Sequence, residues 1–245
     1  MNLLQSALLG AVQGLTEFLP VSSSGHLVLF QKLIPGFQQP GVLFDVFLHL
    51  GTVLAVIFFF WKKIIKLNMR EWFLLGVATI PAAVVGYLLS DTVDILFANA
   101  TLVSFALLVT GILNIRTDLN VQRKGDFSSK EAIVVGLFQA VAILPGISRS
   151  GSTIFAGTWL GIEKEKAAGF SFLLSVPAVL GANVLEMFKY RNNLGLDINY
   201  IVGLFCSFVF GILCIKILLK ALKGTKFKYF GYYCLAVGVL TLVLL

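Results

Sequence analysis

The stretch AVQGLTEFLPVSSSGH, Ala11 to His26, gathers the residue types of hydroxyl chemistry inside a chain made mostly of Leu, Val, Phe, Ile and Ala. Ser22, Ser23 and Ser24 precede Gly25 and His26, so hydroxyls and an imidazole stand within a few residues of each other. A serine hydroxyl is a weak nucleophile at neutral pH and needs a base, and imidazole is the side chain best tuned to move a proton there. Glu17 comes shortly before, with Gln13 one helical turn earlier on the same face. Their oxygens are of the kind that Mg²⁺ or Ca²⁺ prefers, or they orient His26. Two protein oxygens do not by themselves specify a metal.

A second polar stretch, GLFQAVAILPGISRSGST, follows at an offset of 126 residues, which aligns Gly10 with Gly136, Gln13 with Gln139, Ser22 with Ser148, Ser24 with Ser150 and Gly25 with Gly151. The same register puts Phe44 on Phe170, Leu48 on Leu174, Val53 on Val179 and Leu54 on Leu180, so the chain reads as an internal repeat, about 1–120 and about 130–245, within a single membrane domain 1–245. Gathered together, the loops offer Gln13, Glu17, Ser22, Ser23, Ser24 and His26 from one half and Gln139, Ser148, Arg149, Ser150, Ser152 and Thr153 from the other. Arg149 carries a planar donor fork suited to phosphate, and the adjoining hydroxyls and backbone amides suit an anion at the start of a half-helix. The plainer alternative pairs Arg149 with Glu17 and uses the serines to pack helices closely. It leaves His26 beside three hydroxyls unexplained.

The elements that must position these residues are membrane helices. At 58% hydrophobic and 13% charged residues, with a mean hydropathy of +0.93, the chain lies far outside soluble composition. Runs at roughly 42–61, 72–89, 98–115, 169–188 and 200–219 are long enough to span a bilayer, and 230–245 is a little short. The N-terminal MNLLQSALLG lacks a basic region and reads as part of the structure, not a cleaved signal. Cys206, Cys214 and Cys234 lie in apolar runs without CxxC spacing and read as buried free thiols. The net charge of +7 sits between apolar runs, in clusters such as WKKIIK, and suits membrane orientation and anionic lipid better than nucleic acid.

Charge placement chooses the topology. If both polar-interrupted segments are re-entrant hairpins, the loops 62–71, 116–130, 160–168 and 216–228 share one face with four, four, two and five Lys or Arg, fifteen in all, against Lys32, Lys189 and Arg191 on the other. If each segment crosses once, the division is ten against eight. The positive-inside rule favours the hairpins, with the basic loops cytoplasmic and both termini outside. Three crossings per half then invert the second half, giving an all-α polytopic inverted repeat whose broken segments face one another near the midplane. His49 reads as a helix-buried histidine bonded to Asp45. Asn183 and Glu186 read as helix-end polar groups, Asn99 and Asn114 have no assigned role, and Pro81 and Pro177 mark helix kinks.

QGLTEFLPVSSSGH together with PGISRSGST, Pro145 to Thr153, resembles the undecaprenyl-diphosphate phosphatase family, also called bacitracin-resistance proteins, and the similarity covers nearly the whole chain, including FSFLLSVPA at Phe170 to Ala178. The resemblance implies a cell-membrane enzyme, opening to the outer face, that removes the terminal phosphate of undecaprenyl diphosphate and recycles the lipid carrier of cell-wall synthesis. It implies that Glu17, Ser23, His26 and Arg149 serve catalysis with a divalent cation, Mg or Ca, Arg149 clamping the diphosphate, Glu17 with Gln13 serving the metal, and Ser23 or His26 attacking. Gln13, Ser22, Ser24, Gln139, Ser148, Ser150 and Thr153 are the expected substrate-binding residues. Gln13 stands where that family often has a second Glu, which leaves one carboxylate for the cation. The expected partners are a polyprenyl diphosphate and the bilayer, with no nucleic acid and homodimerisation left open. Acid phosphatases of the phosphatidate-phosphatase type, which share PSGH-like and SR motifs, need a later catalytic His, and none follows residue 49. A lipid transporter is the main rival, since inverted repeats with broken helices are common among transporters. A non-catalytic scaffold fits worst, because it predicts no cluster of intramembrane polar groups.

Overall fold

The computed structural model describes residues 1–34, 37, 43–90, 92–120, 125–189, 197–222 and 226–244. Arg191 and the side chains of Glu186 and Lys189 lie outside the described residues. The described residues form eleven helices: α1 (Leu3–Thr16), α2 (Ser23–Leu33), α3 (Leu43–Ile64), α4 (Met69–Leu88), α5 (Val93–Ala98), α6 (Ala100–Thr117), α7 (Ser129–Val141), α8 (Arg149–Trp159), α9 (Lys164–Lys189), α10 (Ile198–Leu222) and α11 (Lys228–Leu244). Helices α3, α4, α6, α9 and α10 are long and apolar enough to cross a bilayer, close to the runs expected from sequence, and the protein is a multi-pass membrane protein. With 17 residues, α11 is shorter, as the sequence suggests.

Helix starts are written in the capping residues. Asn2 with Gln5, Asn68 with Glu71 and Ser128 with Glu131 each close a reciprocal capping box on α1, α4 and α7. Asn99, given no role above, caps α6 by accepting from the Leu102 amide at 3.0 Å. The element bounds recur along the chain: α2 and α8 each have eleven residues and start 126 residues apart. Packing recurs too, with α10 holding α1 and α3 while α4 holds α7 and α9, and α6 packing on α11. Among the described residues the short α5 has no such counterpart.

The four basic connections meet at one end of the bundle. Lys164 Nζ donates to Asp118 at 2.6 Å, the Lys228 amide donates to the same carboxylate at 2.9 Å, Lys166 reaches Asp126 at 2.7 Å, and Arg70 reaches the Phe127 carbonyl at 3.1 Å. At the other end Asn199, at the start of α10, donates to the Met1 carbonyl and receives Ser6 Oγ, both at 3.3 Å. The far end of α2 returns there, where Phe30 and Ile34 pack with Leu9, Phe44 and Tyr200.

Close backbone approach sets how deeply α1 and α3 sit against α10. A Cβ on Gly10 would lie 2.4 Å from the Gly203 carbonyl oxygen, and one on Gly51 would lie 2.4 Å from that of Leu204. Without lipid-excluding force between helices, such contacts carry much of the association. Gly10→Val and Gly51→Val are therefore expected to cost about 1–3 kcal/mol each and to lower the Tm in detergent by several degrees. Gly76→Ala, whose Cβ meets nothing within 4 Å, should leave the Tm unchanged or slightly raised.

Asp118 ties α6, α9 and α11 together. Burial pushes its carboxyl up, and the Lys164 hydrogen bond and the Lys228 amide outweigh burial, so its pKa lies below the ordinary value. A depressed carboxyl stabilises the fold above the unfolded value of about 4, and that share is lost as pH falls through the folded value. The Tm gap between wild type and Asp118→Asn should be open near neutral pH and should close as a melting series descends below about pH 4.

Candidate active site

The turn after α1 delivers the first half of the site. Glu17 is the C-cap of α1, its amide bonded to the Gln13 carbonyl, and the chain turns through Phe18–Val21 to Ser22, the N-cap of α2. Among the described residues Ser22 alone has a positive φ without being glycine, at 69°. Such a conformation costs of order 1–3 kcal/mol and persists only where the surroundings over-determine it. Here they do: Ser22 Oγ accepts from the Gly25 amide at 3.3 Å, and its carbonyl accepts from the His26 amide at 3.1 Å and from His26 Nδ1 at 2.8 Å.

The second half is built alike. Ser148 caps α8, its Oγ accepting from the Gly151 amide at 3.0 Å, and Gly146 makes the preceding turn with φ 97°. A Cβ at Gly146 would sit 2.4 Å from the Val103 carbonyl oxygen, so glycine is required twice over. Helix α6 stitches both loops: Asn114 Nδ2 donates to the Pro20 carbonyl at 2.5 Å, and Thr110 Oγ1 donates to the Gly146 carbonyl at 2.8 Å while accepting from the Ser148 amide at 2.9 Å. Ser150 Oγ closes the gap between loops by donating to the Leu19 carbonyl at 3.0 Å.

Where the loops meet, Glu17 is shared by both. Its Oε1 takes a short bond from Arg149 Nη2, and its Oε2 accepts from Ser23 Oγ at 2.6 Å and from Gln13 Nε2 at 2.8 Å. Arg149 Nη1 also reaches the Ser171 carbonyl at 3.4 Å, and Ser171 Oγ meets Thr153 Oγ1 at 2.7 Å. The pairing of Arg149 with Glu17, set out above as an alternative to an anion site, is thus present, and it coexists with an open cavity. That cavity, of about 470 Å³, is headed by Glu17, Ser22, Ser23, Ser24, Ser148 and Arg149. It runs on between α4 and α9 past Ala82, Gly86, Pro177, Gly181 and Asn183. One end is therefore polar, with the Arg149–Glu17 pair and Asp45 on its wall, and the rest is largely apolar, the profile of a site for a polar head on an apolar tail.

The remaining sequence-named residues take different places. Gln139 lines the cavity, with Oε1 buried and unpartnered. Ser150 and Thr153 lie buried on α8, Ser150 bonded to the Leu19 carbonyl of the first loop and Thr153 to Ser171 of α9, and Ser152 Oγ is buried without a partner. His26 is buried against α11, with Nε2 on Tyr233 Oη at 2.7 Å and the two rings stacked 5.6 Å apart, and it is not among the cavity-lining residues. His49 is: its Nδ1 meets Gln13 Nε2 at 2.8 Å and Glu17 Oε2 at 3.2 Å, so this nitrogen serves α1 and not the Asp45 bond expected along its own helix. Asp45 instead accepts from Gln31 Nε2 at 2.6 Å. Asn183 lines the cavity and does not serve as a helix-end group. Thr110, Ser171 and Tyr233 were missed in the sequence, and Asn114 was named there without a role. Polarity within otherwise apolar spans was the signal that could have found them.

Glu17 and Gln13, the expected cation ligands, do not fit a resident divalent ion as they are bonded. Both carboxylate oxygens are taken, and Gln13 turns its nitrogen, not its oxygen, toward that carboxylate. Among the described residues no three His, Cys, Asp or Glu side chains converge on a point that could hold a metal ion.

Residues 6–240 match the family described as bacitracin resistance protein BacA. The chain is 38% identical to an undecaprenyl-diphosphatase of Methanosphaera stadtmanae, over all of this chain and 98% of that protein. It is 41% identical to one of Pelotomaculum thermopropionicum, over 100% and 97% of the two chains, and 40% identical to one of Thermosipho africanus, over 95% and 96%. With both polar loops inside the matched span, this chain belongs to the bacitracin resistance protein BacA family.

Proposed function

We propose that this protein is an integral membrane phosphatase that hydrolyses undecaprenyl diphosphate to undecaprenyl phosphate and inorganic phosphate, recycling the lipid carrier of cell-wall synthesis. One observation carries the reading: Ser23, Glu17 and Arg149 are joined by hydrogen bonds at the head of a cavity whose body is apolar. Family membership and relatives named for this activity over their full length support it.

The roles follow from the bonds. Arg149 meets the terminal phosphate, exchanging part of its contact with Glu17 for phosphate oxygens, and the amides at the starts of α2 and α8 add partial positive charge. Ser23 is the nucleophile, since its hydroxyl lines the cavity and already donates to a carboxylate that can receive its proton. The Ser23 Oγ–phosphorus bond forms as the bridging P–O bond breaks, and undecaprenyl phosphate leaves with the electron pair. Water then releases phosphate from Ser23. His26, with one ring nitrogen on the Ser22 carbonyl and the other on Tyr233, holds the strained Ser22 turn that presents Ser23. A divalent cation is proposed to come with the diphosphate as its counter-ion. The prenyl chain takes the apolar run between α4 and α9.

We also read the fold as an inverted repeat of two re-entrant hairpins, α1–α2 and α7–α8, each followed by three crossings. The shared spacing of α2 and α8, the exchanged packing partners and the return of α2 to the end where α1 starts support it. The basic end is then cytoplasmic, both termini are outside in the cell membrane, and the cavity opens outward.

The test is phosphate released by purified protein from a polyprenyl diphosphate, with and without chelator. Ser23→Ala and Arg149→Ala should each lower turnover at least about 100-fold while the Tm shows a folded protein. No release from folded wild type with any divalent cation would mean that the loops bind an anion without cleaving it, and the transporter reading would replace this one.

A further inference from the structure

The chain has two histidines, and their rings are bonded in opposite senses. His26 Nδ1 faces the Ser22 carbonyl at 2.8 Å, which only accepts, so this nitrogen carries the proton and Nε2 accepts from Tyr233 Oη. His49 Nδ1 faces Gln13 Nε2 at 2.8 Å, and an amide nitrogen only donates, so this nitrogen carries the lone pair and the proton sits on Nε2.

We infer that His49 is a positioning residue of the phosphatase site, which anchors the Gln13 amide and through it holds the Glu17 carboxylate on the Ser23 hydroxyl. The inference rests on the reading just given. The two protons of Gln13 Nε2 go one to Glu17 Oε2 at 2.8 Å and one to His49 Nδ1, so the amide is a bridge between carboxylate and imidazole. The direct approach of Nδ1 to Glu17 Oε2, at 3.2 Å, is the longer contact. Protonating Nδ1 would favour that contact and set N–H against N–H at the shorter one, so the amide bridge decides.

Gln13 supplies an independent observation. It is fully buried, and its Oε1 has no hydrogen-bond partner. Leaving a buried acceptor unpaired is unfavourable, so the orientation of this amide is set by its two donor bonds. Of the two acceptors, Glu17 is contested by Arg149, whose planar fork suits both carboxylate oxygens at once. If His49 released the amide, Glu17 could turn both oxygens to Arg149 and leave Ser23 without its acceptor. The clamp on phosphate would survive and the attack would not, so the loss falls on kcat and not on KM. His49 also lines the cavity while Gln13 does not, which makes the imidazole the wall between substrate and bridge.

The experiment uses the full chain in detergent with a polyprenyl diphosphate, comparing wild type, His49→Leu, His49→Asn, Gln13→Leu and the Leu–Leu double variant. His49→Leu should lower kcat about tenfold or more with KM within about twofold and an unchanged Tm. His49→Asn, which keeps an acceptor at the δ position, should recover to within about threefold of wild type. The double variant should be no slower than the slower single one, because both break the same bridge. With only two histidines to assign, ¹⁵N spectra of the rings at about pH 8, above the ordinary imidazole value, should show opposite tautomers, and Gln13→Leu should move the His49 signals alone. Equal tautomers, a His49→Asn variant as slow as His49→Leu, or additive losses would overturn the inference. If wild type releases no phosphate, the phosphatase reading fails on its own, and the ring spectra still decide whether the bridge exists.

Discussion

The rest of the structure depends on one ion pair, Glu17 with Arg149, held between two loops in the interior of a membrane protein. Either charge alone in that setting is costly, and a buried pair is favourable only when its remaining donors and acceptors are also met. They are met by groups from four elements: Ser23 at the start of α2, Gln13 on α1, His49 on α3, which accepts from Gln13 and so fixes its amide, and the Ser171 carbonyl on α9. The pair can form only when both loops are docked, so folding the bundle and assembling the site are the same event. A pair with this many supporters also resists the simplest failure, in which Arg149 and Glu17 close on each other and leave nothing for a phosphate.

Irregular backbone is tolerated inside a membrane only where its polar groups are satisfied or face a wet cavity. The two turns meet that condition through α6, whose Thr110 and Asn114 bond the Gly146 and Pro20 carbonyls. Short half-helices follow from the same demand. At 14 residues and about 1.5 Å per residue, α1 reaches roughly 21 Å, less than the roughly 30 Å of a hydrocarbon core. The glycines that let α1 and α3 press on α10 keep this short helix from shifting along its support.

Much of this was legible in the sequence because membranes write simple rules. The five long apolar helices fall close to the runs read from hydropathy, and the repeated Gln, Ser and Gly at the 126-residue offset mark the two loops that meet. Less legible was which polar side chain faces which. His49 and Asp45 are four apart on one helix, and local spacing suggested a bond between them. The bond that His49 Nδ1 makes crosses to α1, because packing of α1 against α3 sets it and no local pattern encodes that. Thr110 and Asn114 were hidden for a related reason, since their work is to satisfy loop carbonyls and a carbonyl has no letter in the sequence. Side-chain orientation is likewise illegible: the residue types of a cation site stand at Gln13 and Glu17, and as bonded the amide turns its nitrogen to the carboxylate.

Where the two halves agree and where they differ separates scaffold from chemistry. Ser22 and Ser148 are equivalent and do the same thing, each capping its half-helix through the amide three residues on, and Ser24 and Ser150 each lie near that cap at 3.3 and 3.1 Å. One position later the halves part: Ser23 in the first, Arg149 in the second. Five residues before the caps, Glu17 corresponds to Ile143. Identical loops facing each other would have set carboxylate against carboxylate, or guanidinium against guanidinium, and like charges at such distances repel strongly in a medium of low dielectric. A repeated scaffold can therefore hold a hydroxyl, a carboxylate and a guanidinium in one cluster only if the equivalent positions have diverged, and these positions have diverged into complementary roles.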